Sequence, residues 1–129
     1  MNIKFDDTFS KLSKKLSDKV ENLPQLERTI VQDIANEFLE EVIKQTPKSD
    51  SNKLANSWQM KVTKDGNHYI AEVYNTKLYA WDVEYGHRMG DGRWKRGYFM
   101  MTITQTMIKE RMNKIGQHHV YEFLEDVFK

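Results

Sequence analysis

The chain contains no cysteine and only two prolines among its 129 residues. The absence of cysteine excludes disulfide bonds, thiolate nucleophiles and cysteine-ligated metal sites together. No apolar run approaches the roughly 20 residues that a membrane-spanning helix needs. The opening stretch MNIKFDDTFSKLSKK lacks the apolar centre of a signal peptide, so the chain is expected to remain in the cytoplasm where it is made.

An excess of charge of either sign is also missing. The net charge is +1 at pH 7, so the chain as a whole is not a polycation suited to DNA. Hydrophobic residues make up 39% and charged residues 30%, which is typical of a folded globular protein rather than a disordered one. The length predicts a single domain over residues 1–129, in which any basic function must be local.

Residues 1–45 are predicted to form a pair of amphipathic helices. Apolar side chains recur at spacings of three and four over residues 5–23 and again over residues 25–45. Pro24 separates the two patterns, because proline ends one helix and is tolerated in the first turn of the next. The second helix carries five acidic and two basic residues, so its polar face is acidic. A polar linker over residues 46–52 follows.

The apolar period then changes from helical to two. Alternation over residues 57–63 and 68–74, around a turn centred on Asp65-Gly66, predicts a β-hairpin over residues 57–74. Since two strands alone make a marginal sheet, a third strand is expected near residues 94–99 or from a neighbouring subunit.

The second half of the chain is predicted to contain a short helix over residues 77–86, an irregular flexible loop over 87–97 and C-terminal helices over 98–129. Leu78, Trp81 and Tyr85 recur at helical spacing in the first of these. Gly116 is expected to break the last segment into two helices. The predicted fold class is α+β, with two N-terminal amphipathic helices, a small antiparallel sheet built on the hairpin, and C-terminal helices. The large aromatic side chains expected in the core are Trp58, Tyr69, Tyr79 and Trp81.

No catalytic or metal-binding pattern is found. The chain lacks a Gly-x-Ser-x-Gly turn and a phosphate-binding loop ending in Lys-Ser or Lys-Thr. The adjacent His118 and His119 cannot share one face of a helix, and the spacing of His87, Asp91 and Glu84 fits no zinc site. Catalytic residues, metal ligands and cofactors are therefore not expected.

The loop over residues 87–97 mixes basic and aromatic side chains. The candidate contact residues in and beside it are Arg88, Arg93, Trp94, Lys95, Arg96 and Tyr98. Tryptophan, tyrosine and arginine are favoured at the centres of protein interfaces. Cations interleaved with aromatic rings also suit nucleic-acid phosphates and bases. A plain exposed loop remains a third interpretation.

The stretch NKLANSWQMKVTKDGNHYIAEVYNTKLYAWDVEYGHR resembles the phage tail-component family of head–tail joining, tail completion or neck proteins. That family shows a Leu-x-x-Ser stretch that leads into a strand, a hairpin, a Tyr-Ala-x-x-Val-Glu-Tyr/Phe-Gly signature, a variable loop and a helix that opens on Phe. The matching residues here are Leu54, Ser57, Tyr79, Ala80, Val83, Glu84, Tyr85, Gly86 and Phe99.

The resemblance implies structural roles for the signature residues. Ala80 is expected to let the short helix approach the sheet, with Tyr79 and Val83 buried. Glu84 is expected either to anchor a neighbouring backbone or to pair with a loop arginine. Gly86 is expected to permit the turn into the loop.

The function that the resemblance implies is that of a virion structural protein at the head–tail interface, made in the host bacterial cytoplasm. Its expected partners are further copies of itself in a ring, with a hexamer as the expected form, the head connector or adaptor, and the tail tube or tail terminator. DNA would pass through the ring without sequence-specific contact, and no membrane is involved. The alternatives are a small nucleic-acid-binding or regulatory module that uses residues 87–97 and, third, an enzyme of unknown type.

Overall fold

An N-terminal strand and a β-hairpin form a three-stranded antiparallel sheet in the order β1-β3-β2. The computed structural model describes residues 1–6, 23–49 and 51–127. The five strands in this part of the chain are β1 (Asn2–Asp6), β2 (Trp58–Asp65), β3 (His68–Asn75), β4 (Gly86–Arg88) and β5 (Trp94–Arg96). The four helices described are α1 (Leu23–Gln45), α2 (Lys53–Asn56), α3 (Ala80–Tyr85) and α4 (Met100–Val127).

The predicted hairpin is confirmed. Strands β2 and β3 pair in register from Trp58 opposite Asn75 to Asp65 opposite His68. This register makes Gly66 and Asn67 the two-residue loop, one position later than the Asp-Gly centre expected from the sequence. Gly66 has a φ of +59°, which a two-residue hairpin loop with glycine at its first position requires.

The third strand of this sheet comes from the N-terminus. Strand β1 pairs with β3 from Asn2 opposite Tyr74 to Asp6 opposite Ile70. The helix predicted over residues 5–23 is therefore wrong for Phe5 and Asp6, and Leu23, placed at its end, begins α1 instead. Residues 7–22 of that prediction lie outside the described residues. A strand does lie near residues 94–99, as expected, but this strand, β5, pairs with β4 in a separate two-stranded sheet. The strand that completes the hairpin sheet was missed, because pairing between segments some 70 residues apart leaves no local pattern in the sequence.

Helix α1 packs on the sheet, and α4 packs on α1. The prediction of a helix over residues 25–45 is confirmed by α1, which has Pro24 in its first turn, where the missing N–H leaves no hydrogen bond unmade. Its inward face buries side chains at spacings of three and four, namely Ile30, Val31, Ile34, Ala35, Phe38 and Val42. Val31 and Ala35 contact Ala71 of β3, and the other four join the main core around Trp58 and Ile108.

The C-terminal part forms a single 28-residue helix rather than two. The predicted break at Gly116 is wrong, and this glycine is buried inside α4. A glycine within a helix costs only about 1 kcal/mol relative to alanine. Ile115 and Val120, on either side of it, both pack against the core, and this burial outweighs that cost.

Two of the four aromatic side chains expected in the core lie outside it. Trp58 is buried and Tyr69 is half-buried, but Tyr79 and Trp81 are exposed. The reason is that α3 has only six residues and buries the stripe formed by Ala80 and Glu84. The stripe of Leu78, Trp81 and Tyr85, which the apolar spacing singled out, consequently faces outward.

A buried hydrogen bond ties the end of α1 to β2. The hydroxyl of Thr46 donates to the Val42 carbonyl oxygen at 2.6 Å and accepts from Nε1–H of Trp58 at 2.8 Å. Thr46→Val is expected to lower the free energy of unfolding by about 1–3 kcal/mol, because the indole N–H loses its buried partner. Thr46→Ser, which retains the hydroxyl, is expected to cost less. Urea denaturation measures both, and equal losses would contradict the role of this hydrogen bond.

No helix among the described residues combines the length and apolar character needed to cross a bilayer.

Candidate assembly surface

Residues 86–96 form a two-stranded antiparallel ribbon rather than an irregular loop. Strand β4 pairs with β5 through Gly86 opposite Arg96, His87 opposite Lys95 and Arg88 opposite Trp94. We call residues 86–96 the basic ribbon. The prediction of irregular structure, which rested on the glycine content of the segment, is wrong. Two glycines at its base instead allow the backbones of neighbouring segments to pack closely.

These two glycines are Gly86 and Gly97, which face each other where the ribbon leaves α3. Gly86 has φ +86° and ψ 170°, a conformation that only glycine adopts readily. A Cβ atom at Gly86 would overlap the Lys95 carbonyl oxygen, and one at Gly97 would overlap the backbone of Glu84 and Tyr85. The base of the ribbon therefore depends on the absence of side chains at both positions.

The tip of the ribbon is closed by hydrogen bonds. The Met89 N–H donates to the Arg93 carbonyl oxygen at 2.7 Å, and the Gly92 N–H donates to the Met89 carbonyl oxygen at 3.0 Å. The carboxylate of Asp91 accepts from Nε–H of Arg93 at 2.7 Å and from the Arg93 backbone N–H at 3.0 Å. Arg93 is thus engaged within the tip.

The guanidinium of Arg93, and then its backbone N–H, hold the pKa of Asp91 below its ordinary value of 3.8. Because the pKa is depressed in the folded tip, this interaction favours the tip above that value and is lost as the pH falls through the lowered pKa. A carbon-detected NMR titration is expected to give a midpoint below 3.8 for Asp91. Arg93→Gln should move the midpoint back toward the ordinary value, and an unchanged midpoint would contradict the assignment.

The strand register separates the ribbon's side chains into two faces. Directly opposed residues share a face, and the faces alternate along a strand. Arg88, Trp94 and Arg96 therefore lie on one face, and His87 and Lys95 lie on the other. The Trp94 side chain is 63% exposed, and both arginines are also exposed. The first face presents two cations around a large aromatic ring.

The ribbon is held to the rest of the fold by Glu84, whose side chain is fully buried. Its Oε1 accepts a hydrogen bond from the Met101 backbone N–H at 2.8 Å. Its Oε2 accepts from the backbone N–H of Thr102 at 3.1 Å and from the Thr102 hydroxyl at 2.8 Å. The first N–H groups of a helix have no partner within the helix and favour a nearby anion, so Glu84 caps α4. Of the two roles expected for Glu84, the structure shows that of an anchor for a neighbouring backbone.

The connection is made in the other direction as well. The Tyr98 N–H donates to the Val83 carbonyl oxygen at 2.8 Å, and the Phe99 N–H donates to the Glu84 carbonyl oxygen at 3.0 Å. Phe99 was expected inside a helix, but it precedes α4 and has a φ of +53°. This unusual backbone conformation turns its ring toward α3.

The outward stripe of α3 and Phe99 form a row of exposed rings that we call the aromatic row. Trp81 and Tyr85 stack with ring centroids 5.8 Å apart, and Tyr85 meets Phe99 edge to face at 6.5 Å. Trp81 is 52% and Tyr85 53% exposed. Contiguous exposed apolar surface of this kind marks an interaction site. The sequence signal was the helical spacing of Leu78, Trp81 and Tyr85, which predicted the helix, whereas Trp81 was expected in the core.

The remaining signature residues have structural contacts. Leu54 and Ala80 are buried in the main core, and Val83 is partly buried against it. The Ser57 hydroxyl donates to the Lys53 carbonyl oxygen at 2.6 Å, which closes α2 before β2 begins. The expected burial of Tyr79 is wrong, since its ring is exposed.

Within the described residues, the histidines do not assemble a metal site. His119 contacts Asp33 across the α1–α4 interface, and His118 pairs with Glu122 on α4. No group of three or more histidine, aspartate or glutamate side chains in this part of the chain is arranged to hold a metal ion.

The comparison with protein families is consistent with this architecture. Residues 3–86 match the family described as "Bacteriophage HK97-gp10, putative tail-component". The match begins in β1 and ends at Gly86, the base of the basic ribbon. No curated protein and no solved structure matches the chain significantly.

The match confirms the resemblance to the phage tail-component family that the sequence motifs indicated. A protein of this family is a structural component of a phage, located in the virion and in contact with other virion proteins. Because the match spans well over half of the 129 residues, the chain belongs to the HK97-gp10-like family of phage proteins.

Proposed function

We propose that this chain joins the head to the tail, or completes the tail, as a ring of identical copies between the head connector and the tail tube. The virion location at this junction, the head connector or adaptor, and the tail tube or terminator as neighbours are all part of the proposal. DNA would pass through the ring without sequence-specific contact. Family membership supports the structural role.

The observation that carries the proposal is the exposed aromatic row beside the basic ribbon. Both adjoin the connection between α3 and the ribbon. The hydrogen bonds of Glu84 and the close contact of Gly86 with Gly97 fix the geometry of this connection. A protein that works by docking needs surfaces presented in a fixed geometry, because ordering them on binding would reduce the affinity. An exposed row of three aromatic rings supplies the apolar contact area that interface centres use.

The test is electron microscopy of lysates from the parent phage or phage-like element with this gene deleted. Full heads and complete tails that fail to join, or tails of defective length or with defective ends, are expected. Complementation with the wild-type gene is the control. Normal infectious particles from the deletion would contradict the proposal.

A second candidate function is binding of nucleic acid by the basic ribbon. The observation in its favour is the face with Trp94 between Arg88 and Arg96, which could contact phosphates and stack on a base. Such binding would weaken with salt and be lost when Arg88 and Arg96 are replaced by glutamine. Fluorescence anisotropy of a dye-labelled DNA duplex titrated with the protein measures it, with Arg111→Gln/Lys114→Gln on the exposed side of α4 as the matched control.

A further inference from the structure

Two of the cations on the basic ribbon have no partner for their charge in the described part of the chain. Arg93 is paired with Asp91. The side chains of Arg88 and Arg96, which share the Trp94 face, have no hydrogen-bond or ion-pair partner among the described residues. Arginine and tryptophan are enriched at the centres of protein interfaces, and two arginines without a charge partner favour an acidic surface on the other side of such an interface.

A row of three acidic side chains lies on α1. Asp33, Glu37 and Glu40 follow one another at spacings of four and three, so they line one side of the helix. We call these three residues the acidic ridge. Asp33 contacts His119. Glu40 is exposed, and Glu37 is half-buried, with one of its carboxylate oxygens buried and without a hydrogen-bond partner among the described residues.

The two surfaces cannot neutralise each other within one chain. Helices α1 and α4 run antiparallel, since Asp33 meets His119 and Gln45 meets Met107. The acidic ridge therefore lies beside the part of α4 that begins beyond Met107. The basic ribbon precedes the first residue of α4, roughly 15–30 Å away at 1.5 Å per helical residue. An ion pair requires contact within 4 Å.

We propose that Arg88 and Arg96 of one copy dock on Glu37 and Glu40 of the next copy. Complementary patches at different places on one chain produce a head-to-tail contact, and such contacts close into a ring when the rotation permits. The aromatic row, which begins at the base of the ribbon, supplies apolar area to the same contact. This inference rests on the proposed ring and identifies the surfaces that close it.

A second copy fits these observations better than nucleic acid does. Only two free cations share the Trp94 face, which gives weak and salt-sensitive phosphate binding. The chain as a whole has a net charge of +1 and carries its own acidic counterpart. The exposed rings Trp81 and Tyr85 add aromatic surface of the kind that protein interfaces favour.

A charge exchange tests the contact. Arg88→Glu/Arg96→Glu and, separately, Glu37→Arg/Glu40→Arg are introduced into the parent phage or phage-like element. Each pair places like charges against each other and is expected to weaken association, and with it infectious titre, by at least about 100-fold. The chain with all four changes should recover most of the titre. Lys53→Glu/Lys64→Glu, at exposed positions of α2 and β2, is the matched control and should leave the titre unchanged.

A chemical readout on the purified protein accompanies the titre. The chain has no cysteine, so Arg96→Cys in one copy and Glu40→Cys in another can be linked by oxidation of a mixture. A linked dimer is expected from this mixture, and Arg96→Cys mixed with Lys64→Cys, an exposed position on β2, should give much less. Circular dichroism of each variant separates loss of contact from loss of folding.

The outcomes separate this inference from the function on which it rests. If deletion of the gene blocks head–tail joining but the reversed charges leave the titre intact, the docking surfaces are wrong and the proposed function stands. If deletion leaves normal particles, the proposed function fails and the disulfide yield alone decides whether the copies meet in this way. Loss of titre without recovery in the exchanged chain, together with salt-dependent DNA binding by the wild type, would overturn the inference in favour of nucleic acid.

Discussion

Glu84→Ala is expected to lower the free energy of unfolding by about 3 kcal/mol, with a fall in melting temperature on the order of 10 °C. The carboxylate accepts three hydrogen bonds at the start of α4. Its removal leaves the buried Met101 N–H without a partner and a cavity beneath α3. The favourable interaction between the carboxylate and the positive end of the α4 dipole is lost as well.

Asp82→Ala is the matched control, because Asp82 is an acidic residue on the same short helix but is exposed. Its effect is expected to stay within about 0.5 kcal/mol. Glu84→Gln should fall between the two, since the amide has the same shape but only one oxygen to accept hydrogen bonds. Guanidinium denaturation followed by circular dichroism measures all three. A Glu84→Ala protein as stable as the Asp82→Ala protein would show that the cap contributes little.

The same change is expected to loosen the basic ribbon. The carbonyl oxygens of Val83 and Glu84 hold Tyr98 and Phe99, so displacement of α3 removes the support at the base of the ribbon. Hydrogen exchange should increase at the Met89 N–H, which bonds across the tip, in Glu84→Ala more than in Asp82→Ala. Equal exchange in the two variants would indicate that the ribbon is held by its own hydrogen bonds.

Gly86→Ala is expected to cost at least about 3 kcal/mol, and Gly86→Val more, because two separate penalties add at this position. The first is the backbone conformation, φ +86° and ψ 170°, which residues other than glycine rarely adopt. The second is overlap between the new Cβ atom and the Lys95 carbonyl oxygen on the partner strand. The backbones of β4 and β5 cannot move apart to relieve this overlap without breaking the pairing of the two strands.

Gly92 offers a close control within the same ribbon. It has the same φ of +86°, but nothing lies within 4 Å of the position that a Cβ would take. Gly92→Ala should therefore show only the conformational penalty, on the order of 1 kcal/mol. Arg93→Ala is expected to disturb folding less than Gly86→Val. Thermal unfolding gives the order of stability of these variants. Equal melting temperatures for Gly86→Val and wild type would contradict the packing described at the base of the ribbon.

Much of the fold followed from patterns within short stretches of sequence. The spacing of Ile30, Ile34 and Phe38 predicted α1, and the alternation around Gly66 predicted the hairpin, because both patterns reflect which side of one element faces the core. The functional interpretation rested on the Tyr79–Gly86 signature, which lies within the segment that the family comparison matches.

The errors lie where distant segments meet. Strand β1 was missed, and the strand expected near residues 94–99 was assigned to the hairpin sheet instead of to β4. Both errors arise because strand pairing depends on an available edge elsewhere in the fold rather than on the strand's own residues. Tyr79 and Trp81 were placed in the core, but a six-residue helix buries one stripe, and here Ala80 and Glu84 occupy it. The outward position of Trp81 and Tyr85 is what makes them candidates for assembly.

The sequence by itself determined the long helix α1, the hairpin, the absence of cysteine chemistry and the resemblance to phage tail components. Only the tertiary structure decided that Glu84 is buried as the cap of α4, that Gly86 and Gly97 face each other, and that Arg88 and Arg96 share a face with Trp94. The physical reason is that periodicity and turn chemistry act between neighbours in the chain. Burial, strand register and the partners of a charged group depend on which remote segments pack together.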